Sequence, residues 1–409
     1  MYTVFIYLFS FVVRIAAFFG LTKAKRLAKG QKQVWADIQT KLQQGEQRIW
    51  IHCASVGEFE QGRPLMEDIR AQFPHYKILV TFFSSSGYEL RKDYAGADYV
   101  FYLPLDTRSN ARRFVRLVNP VKIYFIKYEF WRNYLKTIKQ QQIPLYLVSA
   151  HFRPEQVFFK WYGGWYRKLL AAFTHFFVQN EQSKVLLAGI GYTNVTVTGD
   201  TRFDRVCRIA DQAIQIPVVE QFVDGQTCLV AGSTWPSDEE MLIRYINTEN
   251  RHLKWIVAPH ELHHSQINHL IESVHIKAVR FSQLEGKNPA DYQLLVIDNI
   301  GMLSSLYRYA TAAYIGGGLD KGGIHNALEA AVFGIPVIFG SVYQEYQEAV
   351  DLVALGGAIP ISNCEEFTNQ LNTLLDHPDK SRQIGNIAGS FVASGRGATS
   401  KVLQSSLKS

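Results

Sequence analysis

Cysteine is scarce in this chain of 409 residues: Cys53, Cys207, Cys228 and Cys364 are widely spaced and form no Cys-x-x-Cys pair. That argues against a disulfide scaffold or structural zinc and for a reducing compartment. The chain has no short internal repeat and no low-complexity tract, so repeat architectures are set aside. Gly-x-Gly-x-x-Gly, the Walker lysine pattern and Gly-x-Ser-x-Gly are all missing, which removes the commonest dinucleotide, P-loop and serine-hydrolase signatures. With 47% hydrophobic and 19% charged residues, the balance is that of a globular protein. It excludes a disordered chain, a collagen-like repeat and a polytopic membrane protein.

The length calls for two or three domains. Acidic residues are short in one half only. Residues 1–200 carry 27 Lys+Arg against 14 Asp+Glu, and the remainder carries 16 against 22, within a net charge of +7. The first half therefore suits an anionic neighbour, either nucleic acid or an anionic membrane surface.

The amino terminus favours membrane. Residues 2–20 are apolar apart from Ser10 and Arg14, and Lys23, Lys25, Arg26, Lys29 and Lys32 follow. A cleaved signal peptide carries its charge before the apolar run and small residues at its end; here Phe18-Phe19 occupies that end. An aromatic helix lying in the interface, or a short span with Arg14 snorkelling, fits better, with the catalytic body on the cytoplasmic side. A buried first helix is the structural alternative.

Apolar runs recur at residues 49–55, 77–84, 121–127, 143–150 and 175–180, then at 227–233, 253–260, 292–298, 312–317 and 335–340. Each has the length and β-branched or aromatic content of a buried strand. Helical patterns such as Glu60–Phe73 and Ser109–Val118 lie between them. This is βα alternation twice over, hence two doubly wound α/β domains with a seam near Arg205–Val219. Ligands in such folds sit beyond the carboxyl ends of the strands.

Four strand ends carry candidate chemistry. His52–Glu58 places Glu58 on a turn with Gly57, suited to general-base work; the structural alternative is a carboxylate that stabilises its helix N-terminus. Gly316, Gly317 and Gly318 lead through Gly322 and Gly323 to His325, Asn326 and Glu329, a glycine loop opening a helix and a ready anion site. The i, i+4 spacing predicts that His325 and Glu329 share a helix face, with Glu329 toward ribose hydroxyls. Ala231–Pro236, containing Ser233 and Thr234, precedes a Ser237/Glu240 capping signal. Asp298–Leu303, containing Gly301 and Met302, is another strand-end turn. The cluster His260-Glu261-Leu262-His263-His264 reads as a solvated loop with one ligand-facing histidine, a metal site being the alternative. Glu129, in Tyr128–Trp131, is either a second acceptor-side carboxylate or a structural hydrogen-bond acceptor.

Taken in order, these motifs resemble the 3-deoxy-D-manno-octulosonic acid (Kdo) transferases of lipopolysaccharide synthesis over nearly the whole chain. His52–Glu58 is similar to the family's H-x-x-S-x-G-E, Tyr102–Asp106 to Y-x-P-x-D, and Glu129-Phe130-Trp131 with Asn133 to E-x-W-x-N. Val197–Asp204 is similar to T-G-N-x-K-F-D, Ala231–Pro236 to A-G-S-T-H-P, and Gly323–Glu329 to G-G-H-N-x-L-E with one residue inserted before His325.

The resemblance implies a GT-B glycosyltransferase, two Rossmann-like domains facing a cleft, behind an amino-terminal membrane-associated helix. It implies a membrane anchor over residues 1–21, an acceptor domain over 22–208, a nucleotide-sugar domain over 209–390 and a carboxyl-terminal helix over 391–409 packing back on the first domain. The reaction would be metal-independent and inverting, without a cofactor. It would move Kdo from CMP-Kdo to a lipid A precursor at the inner membrane, with Glu58 as base and no nucleic acid involved. Ser55, Gly57, Glu129 and Arg202 would serve the acceptor. Ser233, Thr234, His260, Gly301, Met302, Gly317, Gly318, His325, Asn326 and Glu329 would serve the donor. Departures are Lys127 for a glutamate, His151 and His260 for arginines, Trp235 for a histidine and Arg202 for a lysine. A GT-B enzyme using a UDP-sugar, and a catalytically silent membrane-bound protein of the same fold, are the competing expectations.

Overall fold

The computed structural model describes residues 2–212, 215–249, 251–320 and 322–407. The chain divides into two compact units. One comprises the residues up to Arg205 together with those from Gly397 onward; the other is Val206–Arg396. The division falls inside the helix Thr201–Asp211.

The first unit is built on seven parallel strands, β1 (Arg48–His52), β2 (Lys77–Phe82), β3 (Tyr99–Tyr102), β4 (Pro120–Ile126), β5 (Leu145–Ala150), β6 (His175–Val178) and β7 (Val195–Val197). Their order is β3-β2-β1-β4-β5-β6-β7. The second unit repeats the plan with β8 (Cys228–Thr234), β9 (Lys254–Pro259), β10 (Ala278–Arg280), β11 (Leu294–Val296), β12 (Ala312–Ile315), β13 (Val337–Gly340) and β14 (Ala358–Ile361), in the order β10-β11-β9-β8-β12-β13-β14. Both are doubly wound sheets. The winding reverses between β1 and β4 in one and between β8 and β12 in the other, and ligand sites of such sheets lie at these reversals.

The ten apolar runs of the sequence are all strands. The four strands that the runs do not include, β3, β7, β10 and β14, are the two edges of each sheet. Edge strands are short and covered on fewer sides, so they do not read as continuous buried runs. β14 even carries Pro360, a residue that sheets confine to edges and bulges.

Alternation along the strands fills two layers of the first unit. Trp50, Ile123, Phe125 and Leu147 face Phe114, Tyr134 and Ile138. Ile49, Ile51, Tyr124 and Val148 face Phe59, Leu65, Val402 and Leu403, the last two from the carboxyl-terminal helix Ala398–Ser406. The second unit buries Leu229, Trp255, Val257 and Tyr314 with Leu242 and Phe367.

Two helices precede β1: α1 (Tyr2–Phe18) and α2 (Thr22–Lys41). α1 is anchored at one end by the Tyr2 hydroxyl, which donates to Asp106 Oδ2 at 2.7 Å. Its Phe9 ring stands 6.0 Å from that of Phe83. Most of its apolar surface is bare: Val4, Phe5, Tyr7, Leu8, Phe11 and Val12 are each more than half exposed, and Phe18 is 85% exposed. Seventeen residues rise about 26 Å, short of the roughly 30 Å of a bilayer's hydrocarbon core. Among the described residues no helix is long and apolar enough to cross a membrane.

Candidate active site

β1 ends at His52, and the chain turns through Cys53 and Ala54 into α3 (Val56–Gln72). Ser55 sits at the N-cap in extended conformation, so α3 begins earlier than the apolar periodicity from Glu60 indicates. Ser55 and Glu58 form a capping box. The Ser55 N–H donates to Glu58 Oε2 at 3.0 Å, and the Glu58 N–H donates to Ser55 Oγ at 3.4 Å. Capping normally lowers a carboxyl's pKa. Here burial first, and the charge of Glu129 second, push Glu58 up to about 7, against the pull of His52 and of the Ser55 and Ala54 amides. Both readings of Glu58 are thus realised at once, as a helix cap and as a carboxylate of raised basicity.

Glu129, across the β1/β4 reversal, is 8% exposed. His52 Nε2 lies 3.1 Å from its Oε2, and Trp131 Nε1 donates to the same oxygen. On the other side of the imidazole, Nδ1 is 2.8 Å from Thr81 Oγ1, which accepts from Trp50 Nε1 at 2.8 Å. Glu129 is therefore the terminus of a buried hydrogen-bonded chain. Lys127, two residues before it, takes a left-handed φ of 68°, uncommon for a residue with a side chain.

Other motif residues of this unit are scaffolding. Asp106 accepts from the backbone N–H groups of Asn133 and Tyr134, both at 3.0 Å, and so caps the helix Arg132–Gln140. Burial raises it to about 6, even though those amides and the Tyr2 hydroxyl pull the other way. Arg202 lays its guanidinium on Asp200 at 2.7 Å. Asp200 is buried and also accepts from Gln61 and Gln179; burial raises its pKa, but Arg202 outweighs this and holds it below the usual range. His151 is buried, and its pKa is lowered by that burial and by the charges of Arg153 and Lys127.

In the second unit, the β8 and β12 ends face each other at the other reversal. Ser233 has a positive φ of 55°, and Thr234 donates from its hydroxyl to Glu239 at 2.9 Å. The following helix, Pro236–Thr248, is capped by Asp238, which accepts from the Trp235 N–H at 2.8 Å. The Ser237/Glu240 capping expectation is thereby corrected: Pro236 takes the first helical position and moves the cap forward. Asp238 also accepts from the Tyr314 hydroxyl at 2.6 Å and from the Gly317 N–H at 2.9 Å, fastening the glycine loop to the helix start. Gly317 and Gly318 have φ of 83° and 79°. A Cβ on Gly317 would lie 2.3 Å from the Gly323 carbonyl oxygen, so this loop admits no side chain there.

His325 and Glu329 do not share a helix face. The helix is only Leu328–Ala331, because Ile324 pairs across the loop with Gly317 and holds His325 outside it. Asn326 and Glu329 are joined instead, with Asn326 Nδ2 donating to Glu329 Oε1 at 3.1 Å. His325 joins Trp235 and His260. The two imidazoles stack at 4.2 Å, and Trp235 Nε1 donates to His325 Nε2 at 2.9 Å. Burial, then the charge of His260, lowers His325 to about 4. Gly301, with φ 102°, and Met302 lie in the turn before the helix Leu303–Leu306.

The spacing His260-Glu261-x-x-His264 would place two histidines on one face only in a helix. The chain bends there instead: His263 pairs with Glu261, and His264 meets Arg280. Among the described residues no group of three His, Cys, Asp or Glu side chains is arranged to hold a metal ion.

The fold is that of two-domain α/β proteins that handle nucleotide sugars. The UDP-GlcNAc 2-epimerase of Neisseria meningitidis superposes with a TM-score of 0.62 at 15% identity, over 88% of this chain and all of that one. MurG of Acinetobacter baumannii does so with 0.57 at 12%, over 89% and all. Sequence is more specific. Residues 22–205 match the family model described as 3-deoxy-D-manno-octulosonic-acid transferase. The Kdo transferases of Chlamydophila psittaci and Rickettsia bellii are 27% and 28% identical, over 81% and 83% of this chain and 78% and 81% of theirs. The chain belongs to the Kdo transferase family, and it is a glycosyltransferase of GT-B fold.

Proposed function

We propose that this protein transfers Kdo from CMP-Kdo to a lipid A precursor with inversion, at the cytoplasmic face of the inner membrane and without a metal or cofactor. The observation that carries the proposal is Glu58, a carboxyl raised to about 7 at the β1 end of the sheet reversal. A base of that strength is half ionised near neutral pH and able to take a proton from a sugar hydroxyl. In the reaction, Glu58 accepts the proton of the acceptor hydroxyl as its oxygen bonds to the Kdo anomeric carbon, and the bond from that carbon to the CMP phosphate oxygen breaks. Ser55, Gly57, Glu129 and Arg202 form the acceptor side.

The donor side is the glycine loop with Ser233, Thr234, His260, Gly301, Met302, His325, Asn326 and Glu329. Its backbone amides suit phosphate and its Asn326–Glu329 pair suits the nucleoside. The bare apolar face of α1 and the basic residues after it suit an anionic bilayer. The test is product analysis with CMP-Kdo and a defined lipid A precursor. An acceptor heavier by one or more Kdo units is expected. No product with CMP-Kdo, together with turnover of a UDP-sugar, would overturn the reading.

A further inference from the structure

Glu129 ends a chain of side chains that starts at the protein's amino-terminal helix. Phe9 of α1 stands against Phe83, the Phe83 ring lies 4.7 Å from that of Trp131, and Trp131 Nε1 donates to Glu129 Oε2. From the sheet side, His52 reaches the same oxygen at 3.1 Å and is itself held by Thr81 and Trp50. This is more support than a carboxylate needs merely to be satisfied. Every donor meets one oxygen, Oε2, so the orientation of the carboxylate is fixed.

We propose that Glu129 is a positioning residue: a fixed negative charge, set by His52 and by the Phe9–Phe83–Trp131 relay, that keeps Glu58 basic enough to accept a proton. The inference rests on Glu58 being the base. The groups facing Glu58 are few. Glu129 comes from the loop after β4, His52 from β1, and Cys53 from the turn; Glu60 lies on the same helix, and Tyr128 is on the Glu129 loop. Among the groups that act on the Glu58 charge, Glu129 is the one that raises its pKa, and His52 opposes it. Like charges close together disfavour the ionised form of each other, and that makes the ionised form a stronger base.

The test follows the Glu58 carboxyl carbon by NMR through a pH titration of the full chain, with the resonance assigned from Glu58→Gln. The wild-type midpoint is expected at about 7. Glu129→Gln keeps an acceptor for Trp131 and His52 but drops the charge, and it should move the midpoint to lower pH. Glu129→Asp keeps the charge and should stay near the wild type. Glu129→Ala serves as the neutral variant should the amide not fold. The acid limb of kcat/KM should shift downward with the midpoint, and the rate above it should fall. An unmoved midpoint in the neutral variants overturns the positioning role even where wild type transfers Kdo. A shifted midpoint in a protein that transfers no Kdo upholds the coupling and strikes the proposed activity instead.

Discussion

Asp204 and Thr399 are hydrogen-bonded twice. The Thr399 N–H and its hydroxyl both donate to Asp204 Oδ2 at 2.7 Å, and Gly397 N donates to the other carboxylate oxygen at 2.6 Å. One carboxylate near the end of the first unit thus caps the helix Ala398–Ser406, which lays Val402 and Leu403 on the first sheet. At Gly397 the chain takes φ 105°, which suits a glycine.

Asp204→Ala should therefore cost about 2–4 kcal/mol, because buried donors lose their acceptor. Urea denaturation and limited proteolysis would read it: the midpoint falls and the carboxyl terminus becomes the first cleavage site. An unchanged midpoint would show that the apolar contacts of Val402 and Leu403 hold the helix alone.

Asp238 plays the matching role in the second unit, tying Trp235, Tyr314 and Gly317 together. Asp238→Ala should weaken CMP binding at least tenfold by freeing the glycine loop, and should lower stability by about 2–3 kcal/mol. Isothermal titration with CMP decides it. Wild-type affinity in the variant would mean that the loop is held by its own backbone.

Much of this was legible in the sequence, and the misses have physical causes. Central strands are buried on both faces and read as apolar runs; the edges β3, β7, β10 and β14 are not. Glu58 stood out because a carboxylate after a buried strand is conspicuous. Asp204 and Asp238 were hidden because their partners are backbone amides far along the chain, which no local pattern marks. His325 and Glu329 were wrongly placed on one helix face because the pairing of Gly317 with Ile324 delays the helix. The His52–Glu129 contact joins residues on two strands, a relationship that only the β1–β4 pairing creates.

The raised carboxyl of Glu58 carries a stability consequence. Its pKa in the fold, about 7, lies above its ordinary 4.5. Its contribution is intact below the lower value and is lost as pH rises through the higher one. Glu58→Gln should therefore gain on the wild type between pH 4.5 and 7, by up to about 2 kcal/mol, and hold that gain above pH 7. Denaturation at pH 5 and pH 8 checks it; an equal difference at both would mean that the carboxyl titrates alike folded and unfolded.

Removal of residues 2–20 should release the protein from anionic vesicles, since α1 presents most of its apolar side to solvent. Vesicle co-sedimentation reads this. Undiminished binding by the shortened chain would place the anchor elsewhere in the first unit.

The most direct test of the account is the rate of Kdo transfer to a defined lipid A precursor by wild type and by Glu58→Ala, measured at pH 8 with CMP-Kdo saturating. Loss of a positioned base predicts a fall of about 10²–10⁴-fold with the protein still folded and still binding CMP. A variant as fast as the wild type would contradict the assignment of Glu58 as the base.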